Sequence, residues 1–149
     1  GNFTFVNVTE EWGLAGLDGS YQAAFADYDN DGDLDLVTAG KLFRNVGGTN
    51  HYLKVRLDGN GTHDKTAIGT IVRIRLNGRT LTRQVESAVG EGNQNEHTLH
   101  FGLGDYDGPV TLEITWPGGE RQSKVVDEVD RLVTIVARRS AAEKKHTTD

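Results

Sequence analysis

The sequence predicts an all-β protein: a β-sandwich of about seven strands, preceded by a short acidic hairpin. Two observations carry the fold class. From Tyr52 onward, apolar and polar residues alternate in short runs, the period of a half-buried strand. Glycines number 19 and hydrophobic residues make up 36% of the chain, a balance that suits many turns and a thin core. The hairpin rests on a third observation. Between Asp27 and Asp35 the chain reads Asp-Tyr-Asp-Asn-Asp-Gly-Asp-Leu-Asp, with carboxylates on alternate positions.

Taken in order, Phe3-Thr-Phe-Val-Asn-Val-Thr reads as a strand, and Glu10-Glu-Trp-Gly-Leu as one helical turn ended by Gly13. Gln22-Ala-Ala-Phe-Ala and Leu34-Asp-Leu-Val-Thr flank the acidic loop as short strands, and Lys41-Leu-Phe-Arg-Asn follows as another. Val46-Gly-Gly-Thr-Asn-His is a linker. Tyr52-Leu-Lys-Val-Arg-Leu places Leu53, Val55 and Leu57 on one face and Lys54 and Arg56 on the other. Ile68–Leu76 and Arg79–Val85 form a hairpin across Asn77-Gly78, a turn pair suited to positive φ. His97–Leu103, Val110–Trp116, Glu120–Val126 and Arg131–Val136 complete the series. Residues 1–46 thus form one unit, residues 50–137 a sandwich, and residues 138–149 a charged, frayed tail.

The acidic loop names a ligand. Like charges this close repel, and a tight turn brings them closer still. A hard cation such as Ca2+ relieves the conflict by taking about six to eight oxygen ligands. Asp27, Asp29 and Asp31 can turn side chains to a common centre, Gly32 permits the bend, Asp33 offers its backbone carbonyl, and Asp35 closes the shell. The helix-loop-helix calcium motif requires a glutamate at the twelfth loop position. Here that position is Thr38, and the flanks read as strands. Mg2+ prefers fewer protein ligands, and thiolate-seeking metals find only oxygen donors. The competing reading is a solvated acidic loop without a fixed ion.

A net charge of −6 with no basic stripe argues against nucleic acid. No apolar run is long enough to span a bilayer as a helix. Cysteine is absent, so neither disulfides nor thiol chemistry enter. Methionine is absent too, even at position 1, which is expected of an excised fragment. A calcium loop without disulfides fits a secreted or periplasmic protein. Asn2, Asn7 and Asn60 head glycosylation-type triplets, relevant only in a eukaryotic secretory host.

Several separated motifs together resemble a known pairing. Ala24-Phe-Ala-Asp-Tyr-Asp-Asn-Asp-Gly-Asp-Leu-Asp-Leu-Val resembles an FG-GAP/VCBS repeat, the calcium-loop unit of integrin-type β-propellers. Leu42-Phe-Arg-Asn, Asn50-His-Tyr-Leu-Lys-Val-Arg-Leu, Ala67-Ile-Gly-Thr-Ile-Val, Leu99-His-Phe-Gly-Leu-Gly and Trp116-Pro-Gly-Gly resemble the ASPIC/UnbV domain, as in proteins similar to cartilage acidic protein. The resemblance spans roughly residues 3–136. It implies a transthyretin-like, immunoglobulin-like β-sandwich for residues 50–137 and an extracellular parent bearing calcium-bound propeller blades. A propeller needs at least about four blades, whereas one repeat is present. The hairpin must therefore pack on the sandwich, meet another copy through an exposed strand edge, or stay partly uncovered.

Other candidate sites are weaker. His51, His63, His97 and His100 raise a zinc reading, set against ordinary structural histidines. Trp116 could stack on a sugar, but Leu112, Ile114 and Trp116 share one strand face, which favours core. Gly90–His97 is a polar loop suited to docking or to plain flexibility. Asp105-Tyr-Asp-Gly reads as a turn before a second cation site. No nucleophile elbow or phosphate loop is present, so no catalytic residue is expected. The expected function is a non-enzymatic, calcium-stabilised extracellular module for adhesion or assembly. Its partners would be calcium and a protein, a glycan or absent propeller blades. The alternatives are a glycan- or peptide-binding module and an accessory domain of a secreted enzyme.

Overall fold

A computed structural model describes residues 2–17, 19 and 21–138. The tail expected over 138–149 lies outside the described residues apart from Arg138. Among the described residues every regular element is a strand: β1 (Ala23–Ala26), β2 (Asp35–Thr38), β3 (Lys41–Phe43), β4 (His51–Asp58), β5 (Ile71–Leu76), β6 (Arg79–Gln84), β7 (Leu99–Gly104), β8 (Val110–Thr115), β9 (Arg121–Val126) and β10 (Arg131–Val136).

These form three sheets, in the orders β1-β2-β3, β10-β4-β7 and β6-β5-β8-β9. The second and third share one hydrophobic core. Leu53, Val55 and Leu57 of β4 and Leu99, Phe101 and Leu103 of β7 enter it from one side. Val72 and Ile74 of β5 and Val110, Leu112 and Ile114 of β8 enter from the other. The alternation along β4, β7 and β8 therefore describes which residues face inward. The β5–β6 hairpin closes on Asn77 and Gly78, both at positive φ (49° and 73°), as a two-residue turn matched to strand twist requires.

One pairing is parallel. β10 runs parallel to β4, from Arg131 opposite Leu53 to Val136 opposite Asp58. Asp130 sets that register. Its backbone N–H donates to the Tyr52 carbonyl (2.7 Å), and its carboxylate accepts from Tyr52 N–H (3.0 Å) and meets His51 Nδ1 (2.7 Å).

The first segment departs from expectation. Phe3–Thr9 forms no strand: Phe3 and Phe5 are 93% and 92% exposed, and Phe3 sits at φ 58°. Asn2 and Asn7 explain this, because their side-chain oxygens accept the backbone N–H groups of Thr4 and Thr9. Such local bonds compete with a sheet ladder. Downstream, Trp12 N–H donates to Val8 O (2.9 Å) and Leu14 N–H to Thr9 O (2.9 Å), which closes turns without an assigned helix.

Candidate metal loop on the outer face of β4 and β7

The small sheet β1-β2-β3 carries the aspartate loop at its β1–β2 connection. Three of its aspartates accept backbone N–H groups farther along the loop. Asp29 Oδ1 accepts from Asp31 N (3.3 Å), Asp31 Oδ1 from Asp33 N (3.1 Å) and Asp27 Oδ2 from Gly32 N (3.1 Å). Asp35 stitches both ends, with Oδ2 accepting from Tyr28 N (3.1 Å) and Oδ1 from Asn45 N (2.8 Å).

One carboxylate oxygen from each of Asp27, Asp29 and Asp35 lies within 4.8 Å of the others. Asp27 and Asp35 are buried, at 5% and 2% exposure. Asp27 Oδ1 has no hydrogen-bond partner. A buried, unpartnered carboxylate oxygen costs free energy unless something positive meets it. This oxygen fits a hard cation, and so does the all-oxygen donor set. Asp31 and Asp33 stand apart from that group. Asp31 shares the Arg44 guanidinium with Asp29, at 3.2 Å and 2.5 Å respectively. The Asp33 N–H bond first, and Arg44 with it, hold the Asp31 carboxyl below the usual carboxylate range. The same two aspartates push Arg44 up.

The loop lies on the outward face of the β10-β4-β7 sheet. Tyr52 and Lys54 project there from β4, and His100 stands opposite Lys54 on β7. The Tyr52 and His100 rings stack, with centroids 5.9 Å apart and planes at 7°. His100 Nε2 meets the Gly32 carbonyl at 2.6 Å. Lys54 Nζ donates to Asp27 Oδ2 (3.0 Å) and Asn30 Oδ1 (3.2 Å). Burial first, and the negative Asp27 nearby, raise the Tyr52 phenol above its ordinary value. Gly32 is buried at φ 98°, tight against the Tyr52 ring.

The Gly90–His97 loop docks as well. Asn95 Oδ1 accepts from Phe25 N (2.9 Å), Asn93 Nδ2 donates to Ala23 O, and Gln22 Nε2 donates to Glu91 O. Two asparagine side chains thus cap backbone groups of edge strand β1.

The remaining candidates separate. His51 pairs with Asp130, His63 stacks on Trp116 at 5.2 Å, and His97 lies beside Gln94. Among the described residues the one group placed to hold a metal is the aspartate trio. Trp116 is core, 3% exposed, with its indole N–H donating to Gln122 Oε1 (3.2 Å). Asp105 and Asp107 are exposed beside a turn. Sequence reasoning did not single out Arg44, Asn45, Lys54, Tyr52 or Asn95 as loop partners. The signal for the first four was their place in the Leu42-Phe-Arg-Asn and Asn50-His-Tyr-Leu-Lys motifs.

Comparison with known families matches residues 59–144 to the family described as ASPIC and UnbV. No curated protein and no solved structure matches the chain. No helix among the described residues is long and apolar enough to cross a membrane.

Proposed function

The chain belongs to the ASPIC and UnbV family, and from that premise we propose a non-enzymatic, calcium-stabilised extracellular module for adhesion or assembly. The observation that carries the calcium half is the trio Asp27, Asp29 and Asp35, with the buried Asp27 Oδ1 left unpartnered. Those three would hold the ion, and Asp31 and Asp33 would complete the acidic ladder. When bound, calcium supplies positive charge to carboxylates the turn has forced together. A ligand that binds only the folded form stabilises it by mass action.

We read residues 1–46 as an FG-GAP/VCBS-like repeat resembling one propeller blade, and residues 50–137 as a transthyretin-like or immunoglobulin-like sandwich. What supports the assembly half is the cover the small sheet lacks. Phe25, Val37 and Leu42 are 44%, 48% and 51% exposed, a state that a neighbouring blade or a second copy would relieve. With β1 capped by Asn93 and Asn95, β3 is the edge for pairing with another copy. The glycan reading has less behind it, because the tryptophan that would stack on a sugar is core.

The test is thermal unfolding in EGTA and in millimolar CaCl2. At about 100-fold excess over Kd, calcium adds roughly 2.7 kcal/mol, which raises Tm by about 5–10 °C for a chain of this size. Asp27→Asn loses most of that gain. A wild-type melting curve indifferent to calcium, or an Asp27→Asn variant that keeps the full gain, overturns the calcium reading.

A further inference from the structure

Lys54 stands where a strand normally shows its polar face to water. Its neighbours Leu53 and Val55 point into the core, so Lys54 points outward. A lysine in that position usually extends its ammonium into solvent. Lys54 is instead 4% exposed, because the aspartate loop covers it. Its ammonium meets two loop residues, Asp27 Oδ2 at 3.0 Å and Asn30 Oδ1 at 3.2 Å. Asn30 holds a left-handed backbone, φ 61°, so the loop bends at the residue the lysine grips. Asp27 is nearly as buried as Lys54, and this is a desolvated ion pair. Breaking such a pair from one side leaves an uncompensated buried charge. Arg44 also neutralises the loop, but it is 56% exposed at the side chain, where solvent screens it.

We propose that Lys54 is a positioning residue that latches the aspartate loop onto β4 without any metal, and that its fixed positive charge weakens calcium binding at Asp27. The second half rests on the calcium reading above; the first does not. Asp27 uses one oxygen for the lysine and keeps Oδ1 for a second cation. An ion arriving there meets a carboxylate already half neutralised and feels the ammonium's repulsion through Coulomb's law. The loop then keeps its fold when calcium is scarce.

The experiment compares wild type with Lys54→Met, which keeps the apolar stem, and Lys54→Gln, which keeps donors but not charge. Amide hydrogen exchange over residues 27–35 is followed in EGTA. The latch predicts slow exchange in wild type and at least about tenfold faster exchange in both variants. Calcium titration by calorimetry then reads affinity, expected about tenfold tighter in both variants. Unchanged exchange in EGTA overturns the latch. Equal or weaker calcium affinity in the variants overturns the charge role. If Lys54→Met fails to fold, Lys54→Gln decides both points. If no form binds calcium, the exchange result in EGTA still decides the latch, and the calcium reading alone falls.

Discussion

Replacing Gly32 by alanine tests whether the aspartate loop sits on the β4–β7 face. A Cβ at that position would come within 2.8 Å of Tyr52 Cζ and closer still to Cε1 and Cδ1. Real side chains do not tolerate such contacts, so either the ring or the loop must move. The ring is held by its stack on His100, whose Nε2 meets the carbonyl of the same glycine. The backbone adds a second penalty, because φ 98° is a conformation that residues with a Cβ rarely adopt. Strain of this kind costs about 1–3 kcal/mol, and overpacking a filled contact about 1–3 kcal/mol more. Gly32→Ala should therefore lose about 2–6 kcal/mol in urea-induced unfolding, a large share of the roughly 5–15 kcal/mol that holds a typical domain. The double variant Gly32→Ala with Tyr52→Ala removes the clash but leaves the φ strain. It should be less destabilised than the sum of the two single changes, a coupling that only neighbours show. A Gly32→Ala variant within about 0.5 kcal/mol of wild type, or strict additivity in the double variant, would refute the docking of loop on sheet.

The register clamp of β10 makes stability pH-dependent. Asp130 first, then the nearby Asp107 and Asp105, raise His51 above its ordinary value. Burial works against Asp130, but His51 and the Tyr52 N–H outweigh it and lower the carboxyl. The histidine's contribution is full below its unfolded pKa of about 6.5 and fades as pH rises through the folded value. The aspartate's contribution is full above about 3.9 and fades as pH falls. The pair is therefore worth most near pH 5, and Tm should drop between pH 5.5 and 8.5 by less in His51→Gln than in wild type. Equal drops in the two proteins would remove His51 as the cause. Asn93→Ala with Asn95→Ala uncaps the β1 edge. Sedimentation velocity should show association beginning at lower concentration than in wild type; identical profiles would mean the amides do not guard that edge.

Periodicity was enough to read the strands of the two larger sheets, because one face of each is buried and an apolar–polar alternation is the direct consequence. Asn77-Gly78 was legible for the same local reason: positive φ at two successive positions selects those residues. Phe3–Thr9 misled because alternation alone does not supply a partner strand, and the asparagines at 2 and 7 claim backbone groups that a ladder would need. The parallel β4–β10 pairing was not legible at all. It depends on Asp130 reaching a backbone site 78 residues away, a contact with no local pattern.

The loop shows the same division more sharply. Its aspartate spacing sets out a charge conflict within nine consecutive residues, and that conflict is what raises the cation reading. Which cation answers first is a tertiary question. Lys54 reads from sequence as the solvent side of a strand, and nothing in its own neighbourhood says that another segment will cover it. Only the folded arrangement makes Tyr52, Lys54 and His100 the floor beneath Gly32 and Asp27. The alternation that sends Leu53, Val55 and Phe101 into the core thereby also sends these three residues to the loop. A one-residue slip of β4 against β7 would disturb the core and the acidic loop together. Register is thus the physical link between the alternation of β4 and β7 and the seat of the acidic loop.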